Sequence, residues 1–219
     1  MVIVFDVDGT LIGGEEQDWP SFDQALESEL GLMPDEAFWK TITEVTGKAI
    51  VRSVCEVQGL EFTDEIVERV NRTYLQNLRK AAPFKNTVFL PKPGAVEILN
   101  MLKSTPIFDV AIATGDFAET SKFKLQSAGI PTTGIPHVSA SDREIRADII
   151  SLAAEKAGYQ VHDAIYVGDG LWDMRACEQL DIPFIGTGRN IDKLKAAGVE
   201  SIVTSLEPTV LLPMIQRLV

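Results

Sequence analysis

Two aspartates one residue apart, Asp6 and Asp8, close the first apolar run of the chain, Val2-Ile3-Val4-Phe5. A short apolar run that ends in charge reads as a buried parallel strand, and open α/β folds keep their sites at the carboxyl edge of such strands. Carboxylates this close repel each other unless a cation sits between them. The pair therefore points to a hard divalent metal held by oxygen, with magnesium the best fit. A calcium loop would begin in the same way, but would continue with oxygen ligands at alternate positions and a Glu at its end; here Thr10, Leu11 and Ile12 follow Gly9. Taken by itself, the motif also reads as a solvated turn after an edge strand.

Two later segments repeat the arrangement. The strand pattern Phe108 to Ala113 ends at Thr114-Gly115-Asp116, where a hydroxyl and backbone N–H groups meet the start of a helix. Such a start is either an anion site suited to phosphate oxygens or a simple hydroxyl cap. A third strand, Ile165-Tyr166-Val167, runs into Gly168-Asp169-Gly170-Leu171-Trp172-Asp173. Turn chemistry alone would account for Gly-Asp-Gly, but its recurrence at the same sheet edge as Asp6 and Asp8 favours a shared metal site.

The elements that must position these residues follow a βαβ grammar. From Phe108 onward, strand patterns (108–113, 164–167, 183–185, 201–203) alternate with helix patterns (117–126, 147–157 and one from about Pro208). The fold expected is α/β, a Rossmann-like parallel sheet covered by helices on both faces. Between the first strand and this core, residues 14–89 show helical periodicity only. One helix is expected behind Asp18 and Pro20, a second around Phe38, Ile42 and Val45, a third around Ile50, Val51 and Val54, and a fourth behind Thr63. The expected organisation is a catalytic core of residues 1–13 and 90–219 with an all-helical cap domain, 14–89, inserted into it.

Composition narrows the partners. The 219 residues carry 32 acidic and 20 basic side chains, a net charge of −12, which repels nucleic acid and anionic membranes. Cys55 and Cys177 stand far apart in no metal-ligand spacing and read as small buried hydrophobes of a reduced compartment. With no signal or membrane-span pattern, the expected location is cytoplasmic and the expected partner a small molecule, the chain acting as a monomer or homodimer. His137 and His162 have no partner pattern and receive no role.

Asp6-Val7-Asp8-Gly9-Thr10, Thr114-Gly115, a basic residue near a helix start, and Gly168-Asp169-Gly170 with Asp173 follow one another in the order of the haloacid dehalogenase-like hydrolase superfamily. The helical segment directly after the first motif resembles the cap of the phosphoglycolate phosphatase-like branch. The resemblance implies that Asp6 is the nucleophile, forming an aspartyl-phosphate, and that Asp8 protonates the leaving oxygen and then deprotonates water. It implies Mg2+ held by the Asp6 carboxylate, the Asp8 backbone carbonyl and Asp169, with Asp173 in support, and a phosphoryl group held by Thr114 and Gly115. Where the family usually carries a lysine in the third motif, this chain offers Arg146 in Arg146-Ala147-Asp148-Ile149-Ile150, with Arg143 as its rival.

Dehalogenating relatives lack the second carboxylate, so Asp8 favours phosphoryl chemistry. The reading is a magnesium-dependent phosphatase acting on a small phosphorylated metabolite; the alternatives are a phosphomutase or a non-catalytic phosphate-binding domain. In the cap, Thr43 to Lys48, interrupted by Gly47, is the candidate loop facing the site. Lys48 and Arg52 are the candidates to bind an anionic group of the substrate, although such helix cations are as a rule simply solvated. Trp19 and Trp39 are expected to pack within the cap, and packing is also favoured over substrate contact for Trp172.

Overall fold

The computed structural model describes residues 1–81 and 88–219; residues 82–87, part of the expected helical insert, lie outside the described residues. The chain opens with β1 (Val2–Phe5) and β2 (Ile12–Gly13). Four helices follow, α1 (Glu15–Leu30), α2 (Glu36–Thr41), α3 (Gly47–Gln58) and α4 (Asp64–Ala81). After β3 (Leu90–Pro91) come α5 (Ala95–Ser104), β4 (Asp109–Ala113), α6 (Ala118–Ser127), β5 (His137–Val138) and α7 (Arg146–Lys156). The chain closes with β6 (Ala164–Gly168), α8 (Leu171–Leu180), β7 (Phe184–Gly186), α9 (Ile191–Ala196) and α10 (Pro208–Leu218).

The main sheet is wholly parallel, in the order β5-β4-β1-β6-β7. Its strands are apolar throughout their buried length because both faces are covered. Val2 and Val4 pack with Ala147, Ile150 and Ala154 of α7 on one face; Ile3 and Phe5 pack with a larger cluster that includes Ile98 and Leu102 of α5 and Leu211 and Ile215 of α10. The α/β, Rossmann-like class expected from the sequence is thus the one observed.

The register decides where the chemistry falls. Phe5 lies opposite both Ile112 and Val167, so Asp6, Thr114 and Asp169 all emerge at one edge. Strand order reverses around β1, which makes the crevice beside it the place where such sheets bind ligands. The backbone N–H of Asp6 donates to Val167 O at 3.0 Å and fixes the β1 exit against β6.

Helices α1 to α4 pack on one another and onto the core through the same apolar cluster. Local caps start three of them: Asp35 Oδ1 accepts from the N–H of Phe38, Thr46 Oγ1 from that of Ala49, and Thr63 Oγ1 from that of Ile66. Helix α1 begins earlier than its Asp18-Pro20 pair suggests, with Pro20 inside it, while Asp18 N–H pairs back to Gly14 O. Helix α2 is shorter than its apolar spacing implies; Ile42 is extended and Val45 lies in the following loop. The expected strand at 201–203 reduces to a single bridge between Ile202 and Gly186. Trp19 packs edge-on against Trp39, with ring centroids 5.0 Å apart. Cys55 and Cys177 are both buried free thiols. Among the described residues no helix is long and apolar enough to cross a membrane.

His137 of β5 is partly buried, its Nε2 3.1 Å from Ser121 Oγ, and burial together with nearby Lys122 pushes its pKa down to about 4. The unfolded chain therefore takes up this proton first as pH falls, and folding stability drops between about pH 6.5 and 4. The contribution is at most about 3 kcal/mol. Urea denaturation across this interval is expected to show a smaller loss for His137→Gln than for the native chain; identical profiles would mean that His137 titrates alike in both states.

Candidate active site

Three loops leave the carboxyl edge of β1, β4 and β6 and meet in one cavity. Its walls include Asp6, Asp8, Thr114, Gly115, Arg146 and Asp169, as well as Val45, Thr46 and Gly47 from the insert. Gly9 makes the first turn possible: its φ is +78°, and a Cβ there would sit 2.3 Å from an Asp169 oxygen. The loop is thus tightened until the first and third acidic motifs touch.

Asp6, Asp169 and Asp173 are all buried and present carboxylate oxygens within 4.8 Å of one another. Burial raises the Asp6 pKa well above the ordinary carboxylate value, and Asp173 adds to the shift; Arg146 opposes it. The guanidinium of Arg146 is the counter-charge, its Nη1 2.9 Å from Asp173 Oδ1 and 3.5 Å from Asp6 Oδ1. One guanidinium against three carboxylates leaves an excess of negative charge in a buried site. All-oxygen donors of this kind suit a hard divalent cation, so the residues fit the metal that the sequence implies. Asp173 is further committed to the N–H of Gly170 at 3.0 Å and faces the Tyr166 hydroxyl at 3.3 Å, which suits it to support the cluster from behind.

Asp8 is set apart from this group. Its carboxylate receives the Lys124 ammonium at 2.8 Å on both oxygens. Burial raises its pKa against the pull of Lys124, with Asp18 and Asp116 reinforcing the rise. Two aspartates that look equivalent in the sequence thus occupy two different electrostatic environments, which is how one fold assigns distinct roles to a pair of acids.

The two arginines are placed differently. Arg146, at the start of α7, is buried in the cavity wall; Arg143 is exposed and donates to the backbone carbonyl of Asp142. Arg146 is also gripped by the insert, Nη2 donating to Val45 O at 2.6 Å and its backbone N–H to Glu44 Oε1 at 3.0 Å. Gly115 leaves room for this: a Cβ there would lie 2.1 Å from Arg146 Nη2 and 2.7 Å from Val45 O. Gly115 O in turn accepts from the N–H of Gly47 at 2.7 Å, so the loop at 43–48 does face the site.

Thr114 is buried in the cavity wall and its Oγ1 accepts from the N–H of Asp116. At the start of α6, the Phe117 N–H already donates to Asp116 Oδ1 and the Ala118 N–H to Ser141 Oγ. Of the groups envisaged as an anion site there, these two N–H groups are thus already engaged, which leaves Thr114 and Gly115 as the candidates.

Lys48 is not brought to the site. Its ammonium pairs with Asp64 at 3.1 Å, and it is absent from the cavity wall. Arg52 makes a two-pronged ion pair with Glu144, at 2.6 and 2.7 Å, which joins α3 to the loop before α7. Sequence reasoning missed Asp18, Phe22, Tyr74, Phe117, Arg189 and Asn190, all of which line the cavity. Trp172 lines it too, where packing was favoured over substrate contact, and so does Trp19, which also packs on Trp39 as expected. The signal for Phe22 was present in the α1 apolar stripe, but periodicity marks a residue as inward-facing without saying what it faces.

A haloacid dehalogenase-like hydrolase family profile matches residues 1–181. The chain belongs to that family. A phosphoglycolate phosphatase of Mesorhizobium japonicum is 22% identical over 209 residues, covering 91% of this chain and 90% of the relative. Among solved structures, a hydrolase from Pseudomonas syringae superposes with a TM-score of 0.76 at 24% identity, covering 99% of this chain and 98% of the other. CbbY from Rhodobacter sphaeroides, in complex with phosphate, gives 0.72 at 20% identity, with 94% of each chain covered. At these identities the structural matches speak for the fold.

Binding of a cation at Asp6, Asp169 and Asp173 is expected to raise the melting temperature, because a ligand that binds only the folded state stabilises it by about 2.7 kcal/mol at one hundred times its Kd. Asp169→Asn should lose the response to Mg2+ while melting no lower than the native chain without metal, since one repelling charge has gone. An unchanged Mg2+ response in that variant would place the cation elsewhere.

Proposed function

We propose that this hydrolase is a magnesium-dependent phosphatase that releases phosphate from a small phosphorylated metabolite through an aspartyl-phosphate on Asp6. The observation that carries the reading is the separation of the two acids: Asp6 stands in the carboxylate cluster beside Arg146, and Asp8 stands outside it, against Lys124.

In this scheme Asp6 attacks phosphorus, the bond to the leaving oxygen breaks, and Asp8 delivers a proton to that oxygen. Asp8 then takes a proton from water as it attacks the aspartyl-phosphate, so the same group serves as acid and base. Thr114 Oγ1 and the Gly115 N–H hold the oxygens of the transferring group, and Arg146 offsets their charge as Asp6 is consumed. Magnesium held by Asp6, Asp169 and the Asp8 backbone carbonyl, with Asp173 in support, supplies further neutralisation of the phosphoryl oxygens. Residues 14–89 act as a cap that excludes water and meets the leaving group.

The cap side of the cavity is walled by Trp19, Phe22, Ile50 and Tyr74, whereas Lys48 and Arg52 are engaged elsewhere. Apart from Arg146, the cation among the described lining residues is Arg189, an exposed side chain next to Asn190. These walls support a leaving group with an uncharged, partly apolar body. Phosphoglycolate, whose leaving group carries a carboxylate, belongs in the substrate panel as one candidate beside sugar phosphates and nucleotides.

Phosphate release from such a panel is expected to require Mg2+ and to vanish in Asp6→Asn. Arg146→Ala should lower kcat/KM by about 10²-fold or more, the scale of a removed transition-state charge contact, while Arg143→Ala stays within about twofold. The reverse ranking of the arginines would overturn the assignment of the third motif. Isomer formation in the presence of a bisphosphate primer, without net phosphate release, would make the enzyme a mutase.

A further inference from the structure

Helix α6 sends a lysine into the interior. Lys124 is wholly buried, and its ammonium lies 2.8 Å from both Asp8 oxygens, 2.9 Å from Asp18 Oδ1 and 2.8 Å from Asp116 Oδ2. The Tyr74 hydroxyl stands 3.4 Å from it and donates to Asp18 Oδ1. Asp116 is itself fixed, its Oδ1 accepting from Thr120 Oγ1 and from the N–H of Phe117, both at 2.6 Å.

A buried ammonium costs several kcal/mol of desolvation and persists only where carboxylates surround it. Apolar residues of similar volume often serve stability as well or better, so the ion group calls for a reason beyond packing. Its position supplies one. Asp8 follows Asp6 after a single residue, so its carboxylate is repelled by the cluster around Arg146, and Lys124 is the cation that fixes where it goes instead.

We propose that Lys124 is a positioning residue that holds the Asp8 carboxylate apart from the Asp6–Asp169–Asp173 cluster and aims it at the leaving oxygen. Asp116 of the core and Asp18 of α1, the latter steadied by Tyr74 of α4, anchor the ammonium that does so. The orientation of Asp8 and the seating of the helical insert are therefore one arrangement. This proposal rests on the reading of Asp8 as the proton donor.

Leaving groups provide the test, because p-nitrophenolate departs without a proton whereas an alkoxide does not. kcat/KM reports the steps up to departure of that group, so it isolates the acid role of Asp8 from its later role as a base. With the Mg2+-loaded enzyme, Asp8→Asn is expected to lower kcat/KM for glycerol phosphate by about 10²-fold or more and to change that for p-nitrophenyl phosphate little. Lys124→Met should show the same selectivity at roughly 10-fold to 10²-fold, the scale of a misplaced catalytic group. It should also give a stoichiometric burst of p-nitrophenolate followed by slow turnover, a readout that needs no alkyl substrate.

If Lys124→Met does not fold, Lys124→Met with Asp18→Asn and Asp116→Asn removes the charges left uncompensated and carries the same expectation; Asp18→Asn with Asp116→Asn alone is its control. Equal losses on both substrates without a burst, or native rates on both, would overturn the positioning role. Absence of leaving-group selectivity in Asp8→Asn itself would instead overturn the reading of Asp8.

Discussion

The structure is organised around repulsion between buried carboxylates. At the carboxyl edge of the sheet, Asp6 and Asp173 share Arg146 with Asp169 close beside them, while Asp8, Asp18 and Asp116 share Lys124. Each group holds three carboxylates and one cation, so neither is neutral if all are ionised. Such a concentration of like charge persists because the surrounding core is packed and apolar enough to hold it; β1 and β6, the strands beneath Asp6 and Asp169, are buried along their whole length.

Neither group belongs to the core alone. Arg146 needs Val45 O and Glu44, and Lys124 needs Asp18 and Tyr74, so the insert completes the partners of both buried cations. The ion pair of Arg52 with Glu144 and the hydrogen bond of Thr46 Oγ1 to Glu144 O, at 2.6 Å, add to the same contact from α3. Polar groups so placed favour one docking geometry over the many that an apolar interface would tolerate, since any other leaves a buried charge without its partner.

The sheet and the acidic motifs were legible because each depends on local pattern. Apolar runs ending in Asp6, Thr114 and Asp169 announce parallel strands and the edge at which they stop, and the order of the motifs carries the family. Short elements were not legible: β5 has two residues and α9 six, too few for a period to show. Lys124 was missed for another reason. In Lys122-Phe123-Lys124-Leu125 the two lysines look alike, yet Lys122 is exposed and Lys124 buried. Helical spacing does distinguish them, because Phe117, Ser121, Lys124, Leu125 and Ala128 share the inward face of α6. A lysine on such a stripe ordinarily signals a break in amphipathicity, and only the tertiary position of three carboxylates turns it into a charge partner.

Lys48 shows the opposite failure of local reasoning. It sits at the start of the helix whose loop faces the site, but a long cation takes the partner within reach of its tip, and Asp64 is there. With Arg52 drawn to Glu144 and stacked 3.8 Å over Phe62, the cations of α3 serve the frame of the insert rather than the cavity. Apart from Asp18, which is paired with Lys124, the insert side of the cavity is walled by aromatic and aliphatic residues with the Tyr74 hydroxyl and Thr46, and the other charges lie on the core side. On the proposed reading, phosphoryl handling falls to the charges and leaving-group selection to the apolar walls. Changes in Trp19, Phe22 or Ile50 can therefore alter which leaving group fits while the charge balance around Asp6 and Asp8 stays as it is.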